Sequence, residues 1–296
     1  MTGAVYDRGY RPYEGPRGRR GAATWALAKA TARRALGIRR PWRQKVAPFV
    51  LLAIVTVPAI VNVGIGYVTR NEVGTNRIEI ITYREYIGVS STLLLFVAIV
   101  APDVLCPDRR QKVLPLIFAR PMTGRDYVVA KVGAITAIVF AFTFLPQVVL
   151  FVGNMLVSDD TLDYFKGHLD VLWKAPLAAM LLAVYFAVMS LAIASFTTRR
   201  IVGGATIAGL FLVASIASAA IVGDTFRRDF DGSYGDLLNV WTLPLLVRDI
   251  VFLGRIHEEQ ALSGVDGGGV AAVVVYVVLV LVSIGVLLRR YQWVER

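Results

Sequence analysis

Few side chains in this sequence have the type and spacing that catalysis needs. The histidines His168 and His257 are isolated, and the residues after His257 lack the second histidine of a zinc-protease helix. The single cysteine, Cys106, can form neither an internal disulfide nor a thiolate metal cluster. No G-x-x-x-x-G-K-[ST] pattern is present, so the chain has no phosphate-binding loop of its own. We therefore expect this chain to have no catalytic residue and to bind no metal or cofactor. The chain is not expected to be an enzyme.

Two acidic sites need a separate explanation. Three aspartates in the segment 159–163 resemble the magnesium-binding carboxylates of membrane transferases. Those enzymes need several carboxylates facing one another, and this cluster is alone, so we interpret it as solvated loop charge. Asp103 is the one acid within an apolar block. An ionisable group at mid-bilayer costs roughly 2.5–3.5 kcal/mol, so Asp103 either caps a helix at headgroup level or faces a cavity or a neighbouring helix.

The composition is that of an integral membrane protein rather than a soluble enzyme. Of 296 residues, 56% are hydrophobic and 18% charged, with a mean hydropathy of +0.61. Soluble domains have about 45–50% apolar and about 25% charged residues. Six apolar blocks are long enough to cross a bilayer as α-helices. The predicted spans are about 46–68, 86–106, 128–157, 175–196, 201–222 and 270–288. The expected fold is therefore an all-α single transmembrane domain over 46–288.

The distribution of Lys and Arg predicts the orientation of these spans. The net charge is +11, but the segments 1–45, 107–131, 197–200 and 289–296 together hold 23 basic residues and five acids. The other connections hold 9 basic and 15 acidic residues. This alternation follows the positive-inside rule and argues against a nucleic-acid partner. We predict six crossings of the cell membrane, with a basic leader, a short tail and both termini in the cytoplasm.

The leader contains a predicted amphipathic helix at about 22–36. Its basic and aromatic side chains are Trp25, Lys29, Arg33 and Arg34. Such a helix can lie along the inner leaflet, held by anionic membrane lipid. The alternative is a solvated, Arg-rich leader with only partial order.

The segment 237–253 is mostly apolar but contains Trp241, Pro244, Arg248 and Asp249. A seventh span here would place the C-terminal arginines outside, against the charge rule. We therefore predict an outer re-entrant or interfacial helical segment, with Trp241 at headgroup level.

The loop between the second and third spans predicts a short helix below the membrane. Pro107 and Asp108 favour a helix start, and Arg120-Pro121 would end the helix. Its apolar side would consist of Val113, Leu114, Ile117 and Phe118. A short amphipathic helix with basic ends suits docking to a soluble partner. The alternative is a helix that rests on the inner leaflet.

This loop resembles that of the membrane subunits of ABC-2-type ABC transporters. The family pattern runs acid-Arg, Gly-Thr-Leu-Glu-x-Leu-Leu, Arg-Pro, Ser-Arg and finally Gly-Lys at the next span. The matching residues are Asp108, Arg109, Leu114, Arg120, Pro121 and Lys131. The departures are Lys112 for Gly, Pro115 for Glu, Gly124 for Arg and Ala130 for Gly. The opening segment 6–15 also resembles the leader of a bacterial, actinobacterial subgroup of such permeases.

The resemblance implies a dimeric permease that pairs with a separate ATPase subunit. In such transporters ATP binds the ATPase subunit. Closure of the ATPase moves the loop helix, which is called the coupling helix, and this movement reorients the spans. Arg109, Leu114 and Arg120 would then contact the ATPase. The usual direction is export, with lipid-like, peptide or drug substrates. The alternatives are a secondary transporter, which usually shows paired intramembrane charges, and a membrane-embedded transferase, which needs clustered catalytic side chains.

Overall fold

The computed structural model describes residues 20–38, 42–73, 82–86, 90–119, 122–158, 160–226 and 233–294. Across these residues the regular structure is helical, without a strand. In chain order the α-helices are α1 (Arg20–Ala35), α2 (Trp42–Val73), α3 (Tyr83–Tyr86), α4 (Ser90–Arg110), α5 (Leu114–Phe118), α6 (Gly124–Val157), α7 (Thr161–Gly167), α8 (Val171–Ala194), α9 (Arg200–Phe226), α10 (Leu243–Leu253) and α11 (Gly268–Val294). Two short 3₁₀ helices, Tyr234–Leu238 and Ala261–Gly264, flank α10.

The described part of the chain has six helices that are long and apolar enough to span a membrane, as the sequence predicts. They are α2, α4, α6, α8, α9 and α11. Each predicted block lies largely within one of them, but the helices extend beyond the blocks. For example, α6 begins at Gly124 rather than at residue 128, and α11 continues to Val294 rather than ending at 288. The apolar block predicts the lipid-facing length, whereas the helix continues wherever its backbone hydrogen bonds can still form.

Helix α8 lies at the centre of the bundle, in contact with α4, α6, α9, α10 and α11. Its buried residues occur on all sides, which is typical of a helix enclosed by others. Alanines such as Ala178, Ala183 and Ala187 are fully buried. Small side chains of this kind let neighbouring helix backbones approach closely, which is how helices associate in a bilayer.

The contact between α4 and α9 depends on glycine. A Cβ atom on Gly204 would lie 2.7 Å from the backbone oxygen of Ala98. On Gly203 it would lie 3.1 Å from the ring of Pro102. The two helices therefore approach more closely at this point than a larger residue would allow.

Three of the long helices leave broad apolar surfaces outside the core. Among the exposed residues of α2, α9 and α11 are Ile60, Val61, Leu212, Val213, Leu281 and Val282. Surfaces of this size and composition are suited to acyl chains or to another apolar helix.

Helix α10 forms most of the segment predicted to be re-entrant or interfacial. It has 11 residues, about 16 Å of helix, which is too short to cross a hydrocarbon core of about 30 Å. Gly254, with a φ of 71°, ends it in the left-handed conformation. Its polar residues Arg248 and Asp249 are buried, and each has a charged partner. Arg248 bonds Asp249 at 2.6 Å, and Arg84 of α3 lies 3.5 Å from the same carboxylate. The Trp241 ring, before α10, packs edge-on against Phe211 of α9 with centroids 6.2 Å apart.

Close packing at Gly204 predicts a specific sensitivity to substitution. Gly204→Ala should reduce the unfolding free energy by about 1–3 kcal/mol, because the added methyl group meets a backbone oxygen. Gly209→Ala is the matched control on the same helix, since a Cβ atom at that position would meet nothing within 4 Å. Thermal unfolding of both variants in detergent checks this prediction, and an equal effect at the two positions would contradict it.

Candidate functional site at the α5 end

Several helix ends meet at one end of the bundle, which we call the α5 end. The loop with α5 joins the end of α4 to the start of α6. Arg109 of α4 and Arg290 of α11 both donate hydrogen bonds to the backbone oxygen of Ser195, which caps the end of α8. The residues that resemble the transporter loop thus lie where α4, α6, α8 and α11 are held together.

The centre of this end is the buried carboxylate of Asp108. Its Oδ2 accepts hydrogen bonds from Lys131 Nζ at 2.6 Å and from the Tyr127 hydroxyl at 3.0 Å. Its Oδ1 accepts from Arg34 Nη1 at 2.5 Å. The side chains of Asp108 and Lys131 are each 3% exposed, whereas that of Arg34 is 39% exposed. We call Asp108, Lys131, Arg34 and Tyr127 the Asp108 cluster. It joins α4, α6 and α1 through one carboxylate.

The turn that follows Asp108 fixes the direction in which the chain leaves α4. Val113 N donates to Asp108 O at 3.1 Å, and Lys112 N donates to Arg109 O at 3.2 Å. This pair of bonds is a Schellman motif, in which one residue takes the left-handed conformation. That residue is Lys112, with a φ of 52°, at the position where the transporter pattern has glycine. Glycine adopts this conformation without steric cost, whereas an L-residue is strained by about 1–2 kcal/mol.

The predicted start of the loop helix at Pro107 and Asp108 is wrong. Helix α4 continues through both residues to Arg110, and the separate helix α5 begins only at Leu114. A proline inside a helix removes one N–H donor, and at 107 the helix tolerates that loss. Pro115 lies in the first turn of α5, where a missing N–H is not needed.

Helix α5 turns its two leucines in opposite directions. Leu114, the residue predicted to contact a partner, is 6% exposed and belongs to the core. Leu116 is 72% exposed. The amphipathic pattern predicts an apolar side for the helix, but the structure turns that side toward the bundle. The apolar side chain that α5 presents to the surroundings is Leu116.

Helix α1 is fixed to the bundle near both of its ends. Arg34 belongs to the Asp108 cluster, and Arg20 Nε lies 2.7 Å from Asp126 Oδ2. Asp126 and Thr123 form a capping box at the start of α6, and Arg20 also donates to Thr123 Oγ1 at 2.8 Å. The first turn of α6 therefore anchors the start of α1.

Of the four predicted surface-helix residues, three are exposed and the fourth is bound to Asp108. Trp25 is 71% exposed, and Lys29 and Arg33 are also exposed. They follow one another at intervals of four residues, so they share one face of α1. Arg34 instead points to Asp108. The remaining strip is one aromatic and two basic side chains, a composition that suits a membrane surface.

Asp103 forms an ion pair with Arg200 at the start of α9. Both residues line an open cavity of about 550 Å³ between α1, α2, α4 and α9. Of the alternatives that the sequence leaves for Asp103, the structure therefore supports the helix–helix pair beside a cavity. Cys106, one turn further along α4, is buried and free.

The remaining predicted loop residues have different positions. Lys131 lies in the Asp108 cluster rather than on the surface, and Arg109 is turned inward to the end of α8. Arg120 and Pro121 lie outside the described residues.

Sequence reasoning missed Arg34 and Tyr127 as partners of Asp108, and Arg200 as the partner of Asp103. The only sequence signal for them is the cost of burying an acid, which demands a cation but does not say which one.

Within the described ranges no group of three or more His, Cys, Asp or Glu side chains is arranged to hold a metal ion. His168 stacks on Tyr164 with centroids 4.0 Å apart, and its Nδ1 lies 2.9 Å from the backbone oxygen of that tyrosine. The α5 end can join helices and present a surface; its described residues offer no nucleophile with an adjacent base.

Comparison of the chain with protein-family models, curated proteins and solved structures finds no match.

The Asp108 cluster predicts that Asp108 and Asp126 contribute unequally to the free energy of unfolding. Asp108→Asn removes the charge that compensates buried Lys131, so the unfolding free energy should fall by about 3–5 kcal/mol. Asp126→Asn is the matched control, because its partner Arg20 is 58% exposed and exposed ion pairs contribute about 0–1 kcal/mol. The measurement is unfolding of both variants in detergent.

A double variant separates charge from packing at the same position. Asp108→Leu with Lys131→Met replaces the buried pair by apolar groups and should recover much of the loss caused by Asp108→Asn. Similar stability for Asp108→Asn and Asp126→Asn would show that the cluster does not hold the helices together.

Proposed function

We propose that this chain is the membrane-spanning permease subunit of an ATP-driven transporter of the ABC-2 type, acting as an exporter. A separate ATPase subunit binds ATP and docks on the α5 end, which lies in the cytoplasm together with both termini. A second permease subunit completes the transporter in the cell membrane. This proposal rests on the loop pattern of the sequence and on the way the structure builds that loop.

The observation that carries the proposal is the mechanical connection of α5. This helix is short, presents Leu116 outward, and lies between two long helices. The Schellman turn at Lys112 fixes α5 to α4, while the Asp108 cluster fixes α4 to α6 and α1. A force applied to α5 by a soluble subunit would therefore reach α4 and, through the Asp108 cluster, α6 and α1. A helix that merely rested on lipid would not need this degree of attachment.

The other parts of the proposal draw on features of the bundle. The exposed apolar surfaces of α2, α9 and α11 are suited to lipid or to a second permease subunit. The Asp103–Arg200 and Asp108–Lys131 pairs lie at the α5 end of their helices. A secondary transporter usually has paired charges at mid-depth instead, so we favour the ATP-driven transporter.

Docking at α5 predicts that a charge at Leu116 will separate the two subunits. Leu116→Asp should reduce the amount of ATPase that co-purifies by more than about tenfold, because a central apolar contact of an interface would become a buried charge. The chain is purified in mild detergent from its native membrane, and ATP hydrolysis and labelling by an ATP photoprobe are measured in the eluate.

The matched control is Leu162→Asp on α7, because Leu162 is 67% exposed and lies on a different helix. This variant should retain the ATPase. If no ATP-binding protein accompanies the wild-type chain, or if both variants retain it equally, the proposed coupling role of α5 is wrong.

The proposed orientation predicts a pattern of cysteine labelling in intact cells. Asp163→Cys and Glu258→Cys should react with a membrane-impermeant maleimide added outside, whereas Thr198→Cys should react only after permeabilisation. All three positions are exposed in the structure, and native Cys106 is buried, so the introduced thiols determine the signal. Labelling at residue 198 with protection at 163 and 258 would reverse the orientation.

A further inference from the structure

A cleft at the α5 end brings together three arginines that are not part of the Asp108 cluster. It has a volume of about 440 Å³ and lies between the ends of α4, α8 and α11, beside α5. The lining residues that matter are Arg109, Arg289, Arg290, Leu114, Phe196 and Val286. We call this site the arginine cleft. It combines concentrated positive charge with an apolar wall.

Two of the three guanidinium groups are held in place by the end of α8. Arg109 Nη1 and Arg290 Nε both donate to the backbone oxygen of Ser195, the latter at 2.8 Å. The guanidinium of Arg290 also lies 4.9 Å from the ring centroid of Phe196. Helix carboxyl ends carry partial negative charge, which favours cations there. Each arginine has five N–H donors, so these contacts orient the groups and leave donors for a further acceptor.

The acids of this end compensate other cations. The described pairs are Asp108 with Lys131 and Arg34, Asp103 with Arg200, and Asp126 with Arg20. No carboxylate lines the arginine cleft among the described residues. Three guanidinium groups that share one cleft repel one another, so a bound anion would relieve an unfavourable arrangement. The planar donor fork of arginine matches the oxygens of a phosphate group in particular.

An apolar strip runs along α11 toward the cleft. Val274, Val278, Leu281 and Val282 are between 50% and 60% exposed. Their spacing places them on the same helix face as Arg289. They belong to a helix that is long and apolar enough to span a membrane. An amphiphile with an anionic head in the cleft could therefore lay its chains along this strip.

We propose that the arginine cleft binds the phosphate headgroup of an anionic phospholipid, whose acyl chains lie against the exposed strip of α11. The strip distinguishes this ligand from free phosphate, which would gain nothing from an apolar helix face. It also distinguishes the lipid from an acidic protein segment, which would approach from water. The proposal does not rest on transport, because it needs only a bundle embedded in a membrane that contains anionic lipid.

The test measures lipid binding to the purified full chain by native mass spectrometry. Phosphatidylglycerol should remain bound to the wild-type chain more strongly than phosphatidylcholine of the same chain length. Arg289→Gln with Arg290→Gln should weaken phosphatidylglycerol binding by about tenfold or more, because charge-assisted hydrogen bonds are lost. Glycerol 3-phosphate, which has the head without the chains, should not displace the lipid at equal concentration.

Two controls separate the site from net charge and from folding. Lys166→Gln with Arg255→Gln removes the same charge from exposed positions that do not line the cleft and should leave phosphatidylglycerol binding nearly unchanged. Arg290 supports the end of α8, so the single variant Arg289→Gln, which leaves the bond to Ser195 in place, is measured too. It should bind the lipid more weakly at an unchanged melting temperature.

Three results would overturn the proposal. Equal losses from the cleft variants and from Lys166→Gln with Arg255→Gln would show only a general effect of charge. Displacement by glycerol 3-phosphate at equal concentration would indicate a site for a soluble anion. Full lipid binding by the cleft variants with loss of a co-purifying protein would assign the cleft to a protein partner.

Discussion

One buried carboxylate determines how the α5 end is built. A charge as enclosed as that of Asp108 is strongly unfavourable unless cations and hydrogen-bond donors surround it. Lys131, Tyr127 and Arg34 meet that requirement, and they come from α6 and α1. Three helices must therefore keep their relative positions for Asp108 to remain compensated. The path of the chain into α5 depends on the same residue, because the backbone oxygen of Asp108 accepts the bond that closes the turn after α4.

Elsewhere in the bundle, close backbone approach and covered polar groups hold the helices together. At α4 and α9 the absence of a side chain on Gly204 allows contact, and the Asp103–Arg200 pair lies beside it. At the opposite end, Arg248, Asp249 and Arg84 connect α10 to the segment before α4. In a bilayer, packing of small residues and polar contacts replace the hydrophobic force that assembles soluble bundles. Ion pairs therefore occur at both ends, and buried alanines of α8 pack the helices between them.

The arrangement leaves the α5 end with surfaces of different chemistry. Leu116 is an apolar contact point on α5, the strip of Trp25, Lys29 and Arg33 on α1 suits a membrane surface, and the arginine cleft concentrates positive charge. The proposed transporter role uses the first surface, and the proposed lipid site uses the last. Because Leu114 borders the cleft and also belongs to α5, a ligand in the cleft and a subunit on α5 would act on the same short helix.

The sequence by itself determined the number of long helices, because an apolar block of about 20 residues has few other stable conformations. It also predicted a short helix in the loop between the second and third spans, although it placed the start at 107–108 rather than at Leu114. The charge rule predicted that the segment 237–253, which contains α10, does not span the membrane. Only the tertiary structure decided that α4 continues through Pro107, that Leu114 faces inward and Leu116 outward, and that Asp108 binds Lys131 and Arg34. The physical reason is that helix formation and apolar length are local properties of the chain. The direction of a side chain and the identity of its partner depend instead on how helices distant in sequence pack against one another.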